Sequence, residues 1–203
     1  MGDRISFHFD PMCPWAWQSS KWIREVERVR AVEVEWKLFS LQLINEGKED
    51  PLADMHERGT AALRTLALVR SRGGNDAVGA VYKALGDRIH DRQEAKSRET
   101  LSGALVDAGL DPALVEQALD DDSTMDGVRS EHEAASEEVG CFGVPTLVLP
   151  SGNGIFGPVI ASPPTGEAAG ELWDRVSWLA DYDGFFELKR ERDRRPGERS
   201  AAG

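Results

Sequence analysis

The sequence is poor in the residue types that build metal sites and disulfide frameworks. Its 203 residues include two cysteines and four histidines. Cys13 and Cys141 lie far apart in the chain, and neither has a zinc-site spacing to a histidine. A disulfide-dense fold is therefore excluded, and we expect no metal site. Each cysteine needs an explanation of its own.

Basic residues and long apolar runs are also scarce. Lysine and arginine total 24 against 36 aspartates and glutamates, which gives a net charge of −12. A surface this acidic repels phosphate backbones and anionic membranes, so we expect neither a nucleic-acid nor a membrane partner. No apolar run approaches the roughly 18–20 residues that cross a bilayer, and the first residues lack the pattern of a secretory signal. We expect a cytoplasmic protein.

Hydrophobic periodicity predicts a thioredoxin-like α/β fold with a helical insertion. Residues 1–49 form a strand–helix–strand unit, and residues 127–188 contribute a helix, two strands and a last helix. Residues 50–126 form the helical insertion, and residues 189–203 are predicted to be a disordered tail. The predicted strands are 5–9, 32–39, 144–149 and 154–160. The predicted helices are 14–30, 52–72, 77–90, 97–108, 112–119, 126–139 and 166–180, with Gly73-Gly74 separating the second from the third.

The first chemically informative junction joins the first strand to the first helix. Cys13 precedes Pro14, which suits a first helical residue, so we expect Cys13 to be the N-cap. Free backbone N–H groups and the positive end of the helix dipole stabilise a thiolate at that position. The pattern predicts a lowered pKa and a nucleophilic Cys13. The alternative is a buried cysteine that acts only as a small apolar side chain.

The second junction, Gly143-Val-Pro-Thr146, comes immediately before an apolar strand. In thioredoxin-like folds an X-Pro bond at this place is cis and faces the reactive cysteine. We expect the backbone groups of Val144 to pair with a bound peptide or thiol as an added strand would. Alone, this string also fits an ordinary tight turn. Together with Cys13-Pro14 it is far more specific.

The two junctions make the chain resemble the DsbA-like branch of the thioredoxin superfamily. Within that branch it is similar to the actinobacterial mycothiol-dependent reductases, or nitroreductases, which are related to FrnE-type and chromene-carboxylate isomerase proteins. The resemblance covers nearly the whole chain. It depends on the strings FDPMCPWAW (9–17), SLQLINE (40–46), GDRIH (86–90), FGPV (156–159), GELW (170–173) and FFELKR (185–190).

The resemblance implies a cytosolic reductase that uses mycothiol, a low-molecular-weight thiol, as its reductant. It makes Cys13 the attacking thiol. The thiol or substrate would be a small molecule or a disulfide held in a groove, and a homodimer is possible. The candidate groove residues are Pro14, Trp15, Asn45, His56, Val144 and Pro145.

Two departures from the family pattern bear on the mechanism. Ala16 replaces the second cysteine of Cys-Pro-Trp-Cys, which leaves a monothiol route in which a second small thiol resolves a mixed disulfide. His56 stands where relatives often have a tyrosine, and a satisfied surface histidine is the simpler interpretation. Cys141 as a replacement partner is less favoured than Cys141 as a structural thiol. A thiol-dependent isomerase of the 2-hydroxychromene-2-carboxylate type and a non-catalytic binding protein stay open as alternatives.

Overall fold

A four-stranded mixed sheet holds the two junctions together. The computed structural model describes residues 2–198, and in it the strands lie in the order β2-β1-β3-β4. β1 pairs in parallel with β2, while β3 is antiparallel to both β1 and β4. The strands are β1 (Asp3–Phe9), β2 (Val32–Leu38), β3 (Thr146–Val148) and β4 (Gly154–Phe156). The helices are α1 (Pro14–Val29), α2 (Leu41–Ile44), α3 (Ala53–Gly86), α4 (Arg98–Asp107), α5 (Leu114–Asp120), α6 (Ser123–Glu138) and α7 (Glu167–Ala180), with a π-helical turn at Asp87–Asp91.

The predicted thioredoxin-like layout with a helical insertion is confirmed. β1 lies between β2 and β3, and its apolar side chains Ile5, Phe7 and Phe9 are buried in the core. α1 and α7 pack together, and the indole N–H of Trp22 donates to the Ala169 carbonyl (3.0 Å). The helices α3, α4 and α5 follow β2 and form the insertion, and α3 packs against both of the others.

An aromatic cluster joins the insertion to the sheet directly behind the first junction. Tyr82 of α3 stacks on Phe9 with ring centroids 3.8 Å apart. Its ring also meets Trp17 and Trp36 edge to face at 5.8 and 5.7 Å. Aromatic pairs of this kind contribute about 0.5–1.5 kcal/mol each beyond the burial of their area. The cluster excludes water from the end of β1, where the chain turns toward Cys13.

Several predicted boundaries differ from the structure. The break expected at Gly73-Gly74 is present only as a kink, because Gly74 alone leaves helical geometry (φ 68°, ψ −159°) within α3. The last two strands are shorter than predicted, since β3 covers 146–148 and β4 ends at Phe156, before the cis Gly157–Pro158 bond. The short helix α2 and the π-helical turn were not predicted, because neither is long enough to show a periodic pattern.

The chain beyond α7 runs back over the fold. Residues 189–198 contain no helix or strand, but the amide of Gly197 donates to the Ala161 carbonyl (2.7 Å). The guanidinium group of Arg192 lies 5.2 Å from the centre of the Trp15 ring. The tail prediction extended to residue 203, and residues 199–203 lie outside the described residues.

Candidate active site

Cys13 occupies the N-cap of α1, as the sequence predicted. Its Sγ accepts a hydrogen bond from the amide of Ala16 (3.4 Å), and Pro14 follows as the first helical residue. The backbone of Cys13 is held by its own amide, which donates to the Asp10 carbonyl (3.0 Å). The turn between β1 and α1 therefore fixes the sulfur at the helix N-terminus.

The Val144–Pro145 loop faces this sulfur. The bond is cis, and the Cys13 thiol donates to the Val144 carbonyl at a sulfur–oxygen distance of 3.7 Å. The loop is held from both sides, because Thr146 Oγ1 donates to the Gly143 carbonyl (2.8 Å) and the Gly157 amide donates to the Pro145 carbonyl (2.8 Å). Val144 is only 6% exposed, so the backbone expected to be open to a bound peptide is largely covered.

The expected lowering of the Cys13 pKa is wrong. The pKa of the thiol is raised to about 11, chiefly because the side chain is buried, with 8% of the residue exposed. The amide of Ala16 lowers the pKa, but the negative charge of Asp10 raises it further. Burial outweighs the helix terminus here, since a thiolate loses more hydration than one or two backbone N–H groups return. In this structure Cys13 is a neutral thiol at neutral pH.

Asp10 is an ionisable group at this site that was not among the predicted site residues. It is fully buried, and its carboxylate accepts hydrogen bonds from the amides of Met12 (2.8 Å) and Leu41 (2.9 Å). Burial raises the pKa of Asp10 to about 6 in spite of these two bonds. The ammonium group of Lys96, which is half-buried, acts electrostatically on both Asp10 and Cys13. An aspartate three positions before a predicted nucleophile is the sequence signal that could have found it.

Trp15, one of the predicted groove residues, is partly covered. Trp15 is half-buried, and Arg192 from the C-terminal segment lies over its ring. Trp17, in contrast, belongs to the core, and its indole N–H donates to Asp91 (3.1 Å). His90 stacks beside Trp17 and bonds the Pro11 carbonyl through Nε2 (2.9 Å), so this histidine supports the turn that carries Cys13.

Of the predicted site residues, Asn45 lies apart from this arrangement, whereas His56 acts electrostatically on Asp10. The amide of Asn45 donates to the Leu41 carbonyl (2.8 Å), and the residue lines a cavity of about 340 Å³ to which Cys13 does not contribute. His56 is buried, with its Nδ1 2.6 Å from a carboxylate oxygen of Asp50. The expectation of a surface histidine is therefore wrong, because α3 places this side chain under the loop that carries Asp50.

Cys141 is the second free thiol. It is buried, and its Sγ donates to the Gly143 carbonyl (3.2 Å), which holds the start of the cis-proline loop. Burial raises the pKa of this thiol too. These contacts favour the structural interpretation of Cys141. Within residues 2–198, no group of three or more metal-binding side chains is assembled.

A family model described as "Rv2466c-like: Mycothiol-dependent nitroreductase Rv2466c" matches residues 12–190. The chain belongs to this family. It is also 37% identical over 194 residues to a protein of Mycobacterium tuberculosis described as "Uncharacterized protein Rv2286c", a match that covers 92% of this chain and 81% of that protein.

Solved structures with the same fold are more distant in sequence. A 2-hydroxychromene-2-carboxylate isomerase superposes with a TM-score of 0.63 at 15% identity, over 87% of this chain and 94% of that one. A probable DsbA oxidoreductase from Streptomyces coelicolor gives a TM-score of 0.56 at 20% identity, over 94% of each chain. A putative protein disulfide isomerase from Nitrosomonas europaea gives 0.59 at 16%, over 88% and 98%. The family match indicates mycothiol-dependent, nitroreductase-like chemistry, and the solved structures show that the fold is DsbA-like.

Proposed function

We propose that the protein is a monothiol oxidoreductase in which Cys13 is the single nucleophile and mycothiol is the small thiol. The observation that carries the proposal is the position of the Cys13 sulfur, held between the N-terminus of α1 and the carbonyl of Val144, with Ala16 in place of a second cysteine. The family match supports mycothiol as the partner thiol. The substrate thiol would be held by the groups that already flank this sulfur, namely Pro14, Trp15, Val144 and Pro145.

The proposed cycle needs one protein thiol and one free thiol. The thiolate of Cys13 attacks one sulfur of a disulfide, a bond forms between the two sulfurs, and the other half of the disulfide leaves as a thiolate that takes up a proton. A mycothiol thiolate then attacks the mixed disulfide, releases Cys13 and forms a new disulfide. No step inside the motif competes with the external thiol, because the methyl group of Ala16 cannot act as a nucleophile.

The neutral state of Cys13 slows the first step by a limited factor. A pKa raised from 9.0 to about 11 reduces the thiolate fraction at neutral pH about 100-fold. A more basic thiolate is also a better nucleophile, by about 6- to 10-fold for two pKa units. The remaining penalty is about tenfold, so the buried thiol still supports exchange with a disulfide held against it.

A second candidate function is a thiol-dependent isomerase of the 2-hydroxychromene-2-carboxylate type. The observation that favours it is the protonated Cys13 thiol, which donates to Val144 and is suited to positioning a substrate without forming a lasting disulfide. The missing second cysteine agrees with a reaction that has no net redox change. A non-catalytic binding protein requires only the groove, and it remains the alternative if Cys13 proves inert.

The remaining proposals concern location and partners. We infer a cytoplasmic protein that binds neither nucleic acid nor membranes. The mycothiol-dependent family supports the location, and the net charge of −12 supports the absence of nucleic acid. None of the helices within residues 2–198 has the length and apolar character needed to cross a membrane.

The test is trapping of the mixed disulfide. Incubation with mycothiol disulfide should add one mycothiol to Cys13, detected by intact-protein mass spectrometry, and free mycothiol should remove it. Cys13→Ser should abolish the adduct, and Cys141→Ser should keep it. An adduct confined to Cys141, or no adduct at any pH, would refute the monothiol cycle. Turnover of an isomerisation substrate without adduct or thiol oxidation would establish the second candidate instead.

A further inference from the structure

A second cavity, next to the candidate nucleophile, has an unusual combination of walls. It encloses about 240 Å³ between α3, α4 and the turn after β1, and Met12, the neighbour of Cys13, forms one side. Its floor is apolar, since Ala62, Leu85 and Leu101 are all buried. Its rim is cationic, because Arg58, Lys96 and Arg98 all line it.

Two of these cations have no carboxylate partner in the part of the chain described. Arg98 is paired with Glu116 (3.3 Å), but neither Arg58 nor Lys96 has an acidic side chain within 4.0 Å among residues 2–198. Burial lowers the pKa of Lys96; the negative charge of Asp10 raises it, and the positive charge of Arg58 lowers it again. Two like charges on the rim of one cavity repel each other, and an anion bound between them would reduce that repulsion.

The N-terminus of α4 is a third source of positive potential at this cavity, and it also favours a bound anion. α4 begins at Arg98, and its N-cap Ser97 lines the cavity. The free N–H groups and dipole of a helix N-terminus favour a bound anion within the first turn. The size of the cavity is below the roughly 300–1,000 Å³ typical of pockets for drug-sized ligands, so it suits a molecule with about one ring.

We propose that this cavity holds a small apolar molecule with a single carboxylate, whose anionic group is bound by Lys96 and Arg58 and whose apolar body lies on Met12 beside Cys13. The proposal deepens the proposed function, on which it rests, because it specifies one half of the disulfide that Cys13 would attack: Cys13 does not line the cavity, but its neighbour Met12 does. A molecule with several negative charges is disfavoured by the acidic surface and the apolar floor. The cavity therefore selects one charge and one apolar body.

The chain has four methionines, and each of the two cavities described above is lined by one of them, so methionine methyl signals can report which cavity a ligand enters. Met12 lines the cationic cavity, and Met125 lines the larger one that includes Asn45. With ¹³C-methyl-methionine label, 4-methylbenzoate should shift the Met12 methyl signal and leave that of Met125 in place. The neutral isostere 4-methylbenzamide should bind at least about tenfold more weakly, since charge-assisted hydrogen bonds are roughly twice as strong as neutral ones. A shift at Met125 alone, no shift, or equal affinity for the two probes would overturn the proposal.

Charge variants give a second, independent measurement. Lys96→Met should weaken 4-methylbenzoate binding about tenfold and leave 4-methylbenzamide unaffected. Lys83→Met removes the same charge from an ion pair with Asp87, outside the cavity lining, and should change neither affinity. If Lys96→Met does not fold, Arg58→Met replaces it as the cavity variant and should weaken 4-methylbenzoate binding in the same way. Carboxylate affinity that survives both cavity variants would contradict the assignment.

The failure of this proposal and that of the proposed function are distinguishable. Cys13→Ser should retain 4-methylbenzoate binding, because the carboxylate contacts do not involve the sulfur. A mixed disulfide on Cys13 without carboxylate binding would support the monothiol cycle and refute the proposed substrate class. Binding of 4-methylbenzoate without any mycothiol adduct on Cys13 would support the carboxylate site and refute the monothiol cycle.

Discussion

Replacing Asp10 with asparagine removes the buried charge beside Cys13 and keeps the shape of the side chain. In the folded protein the pKa of Asp10 is raised from 3.8 to about 6 by burial. The folded state therefore holds its proton more tightly than the unfolded chain between about pH 4 and pH 6. The contribution of Asp10 to stability is highest below this window and falls as the pH rises through it, by about 3 kcal/mol in total at 1.36 kcal/mol per pKa unit.

The asparagine variant has no such dependence, but it loses part of the hydrogen bonding. Only one oxygen remains to accept from the amides of Met12 and Leu41, and an unsatisfied buried donor costs about 1–3 kcal/mol. We expect Asp10→Asn to be less stable than the parent protein near pH 4 and equal or more stable at pH 7. The difference between the two proteins should change by about 3 kcal/mol across the window.

Urea unfolding of both proteins from about pH 4 to about pH 7.5 measures this difference. His8 and His90 also titrate there, since burial lowers both of their pKa values to about 4, but their contributions cancel in the comparison. Asp183→Asn is the control, because it removes the same charge at an exposed position. A pH-independent difference between Asp10→Asn and the parent would refute the raised pKa. The same variant should lower the pKa of Cys13, measured from the pH dependence of alkylation.

Two further substitutions test the motif and the packing behind it. Ala16→Cys should form a reversible disulfide with Cys13, because the Ala16 amide already contacts the Cys13 sulfur. Mild oxidation should then reduce the number of titratable thiols from three to one. Three remaining thiols would contradict the geometry. Gly86→Ala should lower the midpoint of thermal unfolding by several degrees, since a Cβ there overlaps the Trp17 ring and overpacking costs about 1–3 kcal/mol. Gly127→Ala in α6, whose nearest contact would be an ordinary 3.7 Å, should not lower it.

The features that the sequence predicted well are those set by local signals. Proline after Cys13 at the end of an alternating strand is enough to place the N-cap, and Val144-Pro145 before an apolar run is enough to place the loop that faces it. The helical insertion was also predictable, because its apolar residues recur with helical spacing over long segments. Gly74 shows the limit of such signals: it breaks helical geometry at a single residue, whereas the sequence indicated two separate helices.

The electrostatics of the site were not predictable, because they depend on residues far apart in the chain. The Cys13 pKa is set by burial beneath a cluster to which α3 contributes Tyr82, 69 positions further along the sequence. Lys96 reaches Asp10 and Cys13 only because α4 begins beside the turn after β1. His56 was expected at the surface, since nothing in its neighbours reveals that the loop with Asp50 covers it.

The raised pKa of Cys13 and the absence of a second cysteine at position 16 both favour a mixed disulfide that is resolved by an external thiol. A helix N-terminus stabilises a charge by about 0.3–1 kcal/mol, which is less than one pKa unit, whereas burial and the Asp10 charge raise the Cys13 pKa by about two units. In a two-cysteine cycle the attacking sulfur must later leave as a thiolate, and a low pKa makes it a good leaving group. Because Ala16 supplies no internal nucleophile, fast departure gives no advantage unless an external thiol is already bound. A basic Cys13 sulfur instead makes the mixed disulfide persistent, so an external thiol determines when the cycle closes.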